Sequence, residues 1–160
     1  MANLLESYRE LVGDRAIDSL RATAAPFRNR KLVHVNSTRE GGGVAEILHR
    51  MLPLMQELGI QASWEVIEGD APFFEVTKRF HNGLQGNEVE LPQEMLKNYY
   101  QTNQANAERL RPALEPADVV VIHDPQPAPL LGLCAGRRGG WVWRCHIDVG
   151  SPHPPVWEAL

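Results

Sequence analysis

The chain has 160 residues, 43% of them hydrophobic and 22% charged, which fits one folded domain and excludes a disordered chain. A formal net charge of −4, with no basic run interleaved with aromatics, gives no electrostatic basis for binding nucleic acid or an anionic membrane. No apolar stretch reaches the length of a membrane span. The start MANLLESYRE lacks a signal peptide's regions, and the two cysteines stand outside any CxxC spacing, so a reduced, cytoplasmic setting is expected.

Residues 1–30 read as a helical extension, with Leu4, Leu5, Tyr8, Leu11 and Val12 as an apolar stripe. Gly13 and Asp14 break it, and helical periodicity resumes over residues 16–25 until Pro26. A β-rich run over residues 31–36 leads through small polar residues to three glycines, Gly41, Gly42 and Gly43. Val44, Ile47, Leu48, Met51, Leu52, Met55 and Leu58 then recur as one face of a helix, which Gly59 stops. Residues 62–68 form the second expected strand, 69–72 a loop and 73–80 a short helix. Pro92 opens a long helix to about residue 111, with Met95, Leu96, Tyr99 and Leu110 facing inward.

Residues 118–123 (DVVVIH) are almost wholly apolar, as in a parallel strand covered on both sides. Helix-compatible residues follow over 128–137, Arg138-Gly139-Gly140 turns the chain, and residues 141–146 (WVWRCH) form the fourth expected strand. The last residues begin a helix of barely one turn, so a continuation beyond Leu160 is expected. Strands alternating with helices predict an α/β fold with a parallel sheet, whose ligands sit beyond the carboxyl ends of the strands. The polar clusters fall at those ends.

Strand, glycine loop and helix present backbone N–H groups and a partial positive charge, a setting for a phosphate. The triplet matches neither a Walker loop nor the GxGxxG fingerprint, and a plain β–α turn explains it equally well. His123-Asp124-Pro125-Gln126 and His146-Ile147-Asp148 end two strands. Alternation sets Arg144 and His146 on one face, with Trp143 and Cys145 on the other. Such clusters serve either a divalent metal or the hydroxyls of a polyhydroxylated ligand. His34, inside a strand, and His49, on a helix, read as structural. Cys134 and Cys145 read as inert small hydrophobes.

The segments HVNSTREGGGVAEILHRMLPLMQELGI, WEVIEG, FFEVTKRFHNGLQG, VVVIHDPQPAPL and WVWRCHIDVGSP carry a resemblance. From about Lys31 to Leu160 the chain resembles the N-terminal half of the glycosyltransferring trehalose synthases of glycosyltransferase family 4, relatives of the retaining trehalose phosphorylases. The glycine loop is widespread among such transferases, whereas FHNGLQG, HDPQP and WRCHID together are specific.

That resemblance implies a Rossmann-like parallel sheet with helices on both faces, the N-terminal half of a GT-B glycosyltransferase. Residues 31–160 would be its acceptor-side domain, and the donor domain is absent from this sequence. It implies transfer of glucose from a nucleotide-glucose to glucose, forming trehalose, with no cofactor and no metal. Gly41, Gly42 and Gly43 would lie near the donor diphosphate, and His146 beside the transferred sugar, as a contact and not a nucleophile. Asn82, Gln85, Asp124 and Gln126 would line the acceptor side. The chain alone is then expected to be inactive, and a homodimer is compatible with it. The alternatives are a retaining trehalose phosphorylase, a stand-alone sugar-binding module, and a metal-dependent hydrolase using His123, Asp124, His146 and Asp148.

Overall fold

The computed structural model describes residues 4–160. Four parallel strands form one sheet: β1 (Lys31–Asn36), β2 (Gln61–Val66), β3 (Val119–His123) and β4 (Gly140–Arg144), in the spatial order β2-β1-β3-β4. The chain leaves β1 in one direction for β2 and returns on the other side for β3. The strand order therefore reverses between β1 and β3, where α/β sheets of this kind open a crevice.

Strand alternation sorts the side chains between two helical layers. Val33, Val35, Val120 and Ile122 point to one layer. It contains α4 (Ala71–Leu84), α5 (Gln93–Leu114), the short α6 (Leu130–Leu133) and α7 (Pro154–Glu158), which supply Phe73, Phe80, Tyr99, Leu114, Leu130 and Val156. Leu32 points the other way, toward Leu5 of α1 (Leu4–Val12) and Ala24 of α2 (Asp14–Ala24). On that side Ala45 and Leu48 of α3 (Gly43–Glu57) pack on Trp64 of β2. This is a Rossmann-like α/β arrangement with helices on both faces. Among the described residues no helix is long and apolar enough to cross a membrane.

The N-terminal extension is two helices and a 3-10 turn at Ala25–Phe27; residues 1–3 of it lie outside the described residues. Its apolar stripe is only partly used, since Leu5 is buried while Leu11 is 80% exposed. α3 behaves likewise: Leu48 is buried, but Ile47 is 45% exposed beside an open trough. On the same face of β4 Val142 is exposed and, among the described residues, joins neither apolar cluster on that side.

Of the elements whose bounds differ from the sequence expectation, three do so for identifiable reasons. α4 is longer than residues 73–80, because Asp70 caps it through a 2.9 Å bond from the Phe73 N–H and Pro72 suits its first turn. Its far end carries on through Asn82 to Leu84. The helix expected over 128–137 shrinks to Leu130–Leu133, since Pro125, Pro127 and Pro129 keep the approach in turns. β4 ends at Arg144, two residues before His146. Here Asp124 leaves the strand conformation at φ 62°, and its carboxylate, in place of a backbone carbonyl, takes the His146 N–H at 2.6 Å.

Candidate functional site

The loop after β1 is anchored at its start and free at its end. Asn36 is buried; it accepts from Trp64 Nε1 at 2.7 Å and donates to the Thr38 carbonyl at 2.8 Å. The Arg39 guanidinium lies over the Trp64 ring, 4.6 Å from its centroid. Gly41 and Gly42 then take φ values of 72° and 83°, and α3 starts at Gly43 with no side chain capping it. All three glycines are exposed, and a Cβ on any of them would meet nothing within 4 Å. Their requirement is therefore conformational, and the space above the loop stays open.

Gly42, at φ 83° and ψ 152°, occupies a region almost confined to glycine. Replacing it with Val should cost about 1–3 kcal/mol of backbone strain or force the loop to rearrange. If the loop holds a diphosphate, the same variant should raise the KM for a nucleotide-sugar. Thermal melts alongside donor kinetics check this. Wild-type donor kinetics in the variant would make the loop an ordinary turn.

Across β1, β3 and β4 the strand register assembles a row of three histidines. His34 on β1 is level with Val121 on β3, so His123 stands two residues farther along β3 on the same face. His123 is in turn level with Arg144 on β4, and His146 follows two residues beyond. This diagonal brings His34 Nδ1 within 2.9 Å of His123 Nε2, and His123 Nδ1 within 2.9 Å of His146 Nε2. His123 and His146 stack with ring centroids 5.2 Å apart, and His34 and His123 tilt at the same separation.

Both inner rings are buried, His34 at 2% and His123 at 1% exposure. Burial lowers His34 to about 4. Burial, followed by the neighbouring His34, His146 and Arg144, lowers His123 to about 3. Both are therefore neutral at physiological pH. A cleft of about 700 Å³ opens over the row, bounded by Arg144 and, across from it, by Met51 and Met55 of α3.

His34 is buried, as its structural reading expects, and it is also bonded to His123 of the cluster at the strand ends. No spacing within one segment could reveal this, since its partner lies 89 positions away. The available signal was shared parity, with His34 and His123 alternating in phase with the same face of adjoining strands. His49, by contrast, stands apart from the row, bonded to the Arg39 carbonyl and edge-on to Trp64. Both cysteines are free, and burial pushes their thiols up.

The remaining candidate residues divide. Asp124 is tied to the row through the His146 N–H, and its own carbonyl accepts from Trp143 Nε1 at 2.8 Å. Gln126 follows in a loop pinned from α5, where Tyr99 Oη donates to the Pro125 carbonyl at 2.6 Å and Asn103 Nδ2 donates to the Gln126 carbonyl at 3.0 Å. The Gln126 side chain itself is half-buried. Asn82 and Gln85 sit at the end of α4, where the neighbouring Gly83 carbonyl accepts the His153 N–H at 2.8 Å. Among the described residues no hydrogen bond joins Asn82 or Gln85 to the histidine row. Asp148 turns its carboxylate to the Gly150 N–H at 2.9 Å. Among the described residues no group of three or more His, Cys, Asp or Glu is arranged to hold a metal ion.

Comparison with known proteins gives this geometry a context. The family model described as "Trehalose synthase, N-terminal domain" matches residues 34–160. A trehalose synthase of Thermococcus litoralis is 52% identical over 157 residues, covering 98% of this chain and 37% of the relative. One from Rubrobacter xylanophilus is 40% identical over 158 residues, covering 98% and 38% respectively. A trehalose phosphorylase of Pleurotus pulmonarius is 32% identical over 179 residues, covering 98% of this chain and 24% of the relative. The chain thus spans a little over a third of the length of the trehalose synthases it resembles, 37% and 38% in these two. The match covers β3, β4 and the whole of the glycine loop and histidine row, and on it the chain belongs to the trehalose synthase N-terminal domain family.

Proposed function

We propose that this chain is the acceptor-side half of a retaining GT-B glycosyltransferase that moves glucose from a nucleotide-glucose to glucose, forming trehalose and releasing a nucleoside diphosphate. The observation that carries the reading is one of place. An uncapped helix start follows β1 behind Gly41, Gly42 and Gly43, and the row ending at His146 runs from β1 past the end of β4, so both belong to the strands around the point where the strand order reverses.

A departing diphosphate needs donors and positive potential in place before the bond breaks, and the helix start offers both. His146 is half-buried and turned to the cleft, where its free ring nitrogen can meet a sugar or leaving-group oxygen. Asp124 supports it from below by fixing its backbone. Gln126, Asn82 and Gln85 would meet acceptor hydroxyls, for which amide side chains supply both donor and acceptor. The nucleotide-glucose enters as substrate, and neither cofactor nor metal is required. We place the protein in the cytoplasm, as a monomer or a homodimer, with its chemistry completed by residues outside this chain.

The identities favour a synthase over a phosphorylase, 52% against 32%. The deciding assay takes the complete gene product. It is incubated with nucleotide-glucose and glucose, and separately with trehalose and inorganic phosphate. Equal release of trehalose and nucleoside diphosphate in the first mixture is expected. Phosphate-dependent cleavage with no nucleotide-dependent synthesis would assign it to the phosphorylases. Turnover by the 160-residue chain alone would contradict the need for a second half.

A further inference from the structure

The three imidazoles are more than neighbours. A neutral imidazole has one N–H and one bare nitrogen, so each ring in the row gives one hydrogen bond direction. The middle ring uses both nitrogens, Nε2 toward His34 and Nδ1 toward His146. Choosing the proton position on one ring therefore chooses it on all three. Two arrangements exist. Protons directed inward leave His34 Nε2–H without an acceptor, while protons directed outward leave His34 Nε2 as a bare lone pair.

Among the described residues, His34 Nε2 is buried and has no hydrogen-bond partner. Among buried backbone groups an orphaned N–H is rarer than an under-satisfied acceptor; by extension to the ring nitrogens, the outward arrangement is favoured. In it His34 Nδ1–H donates to His123 Nε2, and His123 Nδ1–H donates to His146 Nε2.

We propose that His34 and His123 are positioning residues that hold His146 as its Nδ1–H tautomer, so that the cleft is offered a hydrogen-bond donor for a sugar or leaving-group oxygen. The nature of the oxygen rests on the sugar-transfer reading; the tautomer does not. Neutral inner rings, which burial enforces, are what the arrangement needs. Arg144 lines the same cleft and brings a cationic side chain with further donors. An oxygen-rich, anionic or hydroxylated ligand suits such a wall, whereas a cationic one does not.

The test is ring-nitrogen NMR on the 160-residue chain labelled with ¹⁵N-histidine near neutral pH, the rings assigned by single substitutions. The wild-type spectrum should give His146 a protonated, pyrrole-type Nδ1 and a bare, pyridine-type Nε2. His34→Leu removes the donor to His123 and should let His146 move toward the Nε2–H form. His34→Asn places an amide N–H near the former Nδ1 and should restore the wild-type pattern. A bare Nδ1 on His146 in the wild-type protein overturns the proposal, as does a His146 pattern that His34→Leu leaves untouched. The wild-type reading stands even if His34→Leu fails to fold. No turnover enters the measurement, so a wrong tautomer and a wrong reaction are told apart.

Discussion

His146→Ala in the complete enzyme should lower kcat/KM by about ten- to a hundredfold, with a melting temperature close to wild type. A hydrogen bond of about 1–3 kcal/mol made to charge developing in the transition state sets that range. The stability expectation follows from geometry. His146 is only half-buried; its ring stacks on His123 and accepts one hydrogen bond from it, which water in the open cleft can replace, and its backbone N–H bond to Asp124 survives truncation of the side chain. Steady-state kinetics beside a thermal melt check both halves. A parallel fall in activity and folded fraction would make His146 a structural residue, and full activity in a stable variant would remove it from the site.

Stability should decline steadily as the pH falls from about 6.5 to about 4, before ordinary carboxylates titrate fully. His34 and His123 have folded-state values of about 4 and about 3, below the unfolded value of 6.5. Between those limits the unfolded chain binds protons that the folded chain refuses, so stability present at neutral pH is lost on acidification. The slope is at most about 1.4 kcal/mol per pH unit for each histidine, and less where water reaching the cleft screens the ring. Denaturant midpoints measured from pH 7.5 downward read it directly. His34→Leu should remove roughly half of the slope. A stability that stays level down to pH 5 would contradict a neutral, buried row.

The parts of the fold that showed in the sequence are those set by local chemistry. The apolar run ending at His123 marks a covered parallel strand, and Gly59, at φ 85°, stops α3 where its pattern ends. The glycine loop was visible for the same reason. What stayed hidden depends on distant partners. The end of β4 is set by Asp124, which takes the N–H of His146, 22 residues later, and α4 gains its first turn from the side chain of Asp70. Periodicity named Ile47 and Leu11 as apolar positions but not whether anything covers them. His34 is the sharpest case: a lone histidine in a strand reads as a packed residue until the register sets His123 beside it. Asp124 shows the converse, since its place after β3 was legible but its use as a substitute backbone acceptor was not.

In the proposed function the histidine row and the glycine loop face one sugar nucleotide. A crystal structure of the complete gene product with a nucleotide-glucose and glucose should show the diphosphate against the backbone N–H groups at Gly42 and Gly43, and a glucose oxygen within hydrogen-bond distance of His146 Nδ1. A donor bound with its sugar turned away from His146, or with its diphosphate remote from the loop, would contradict it.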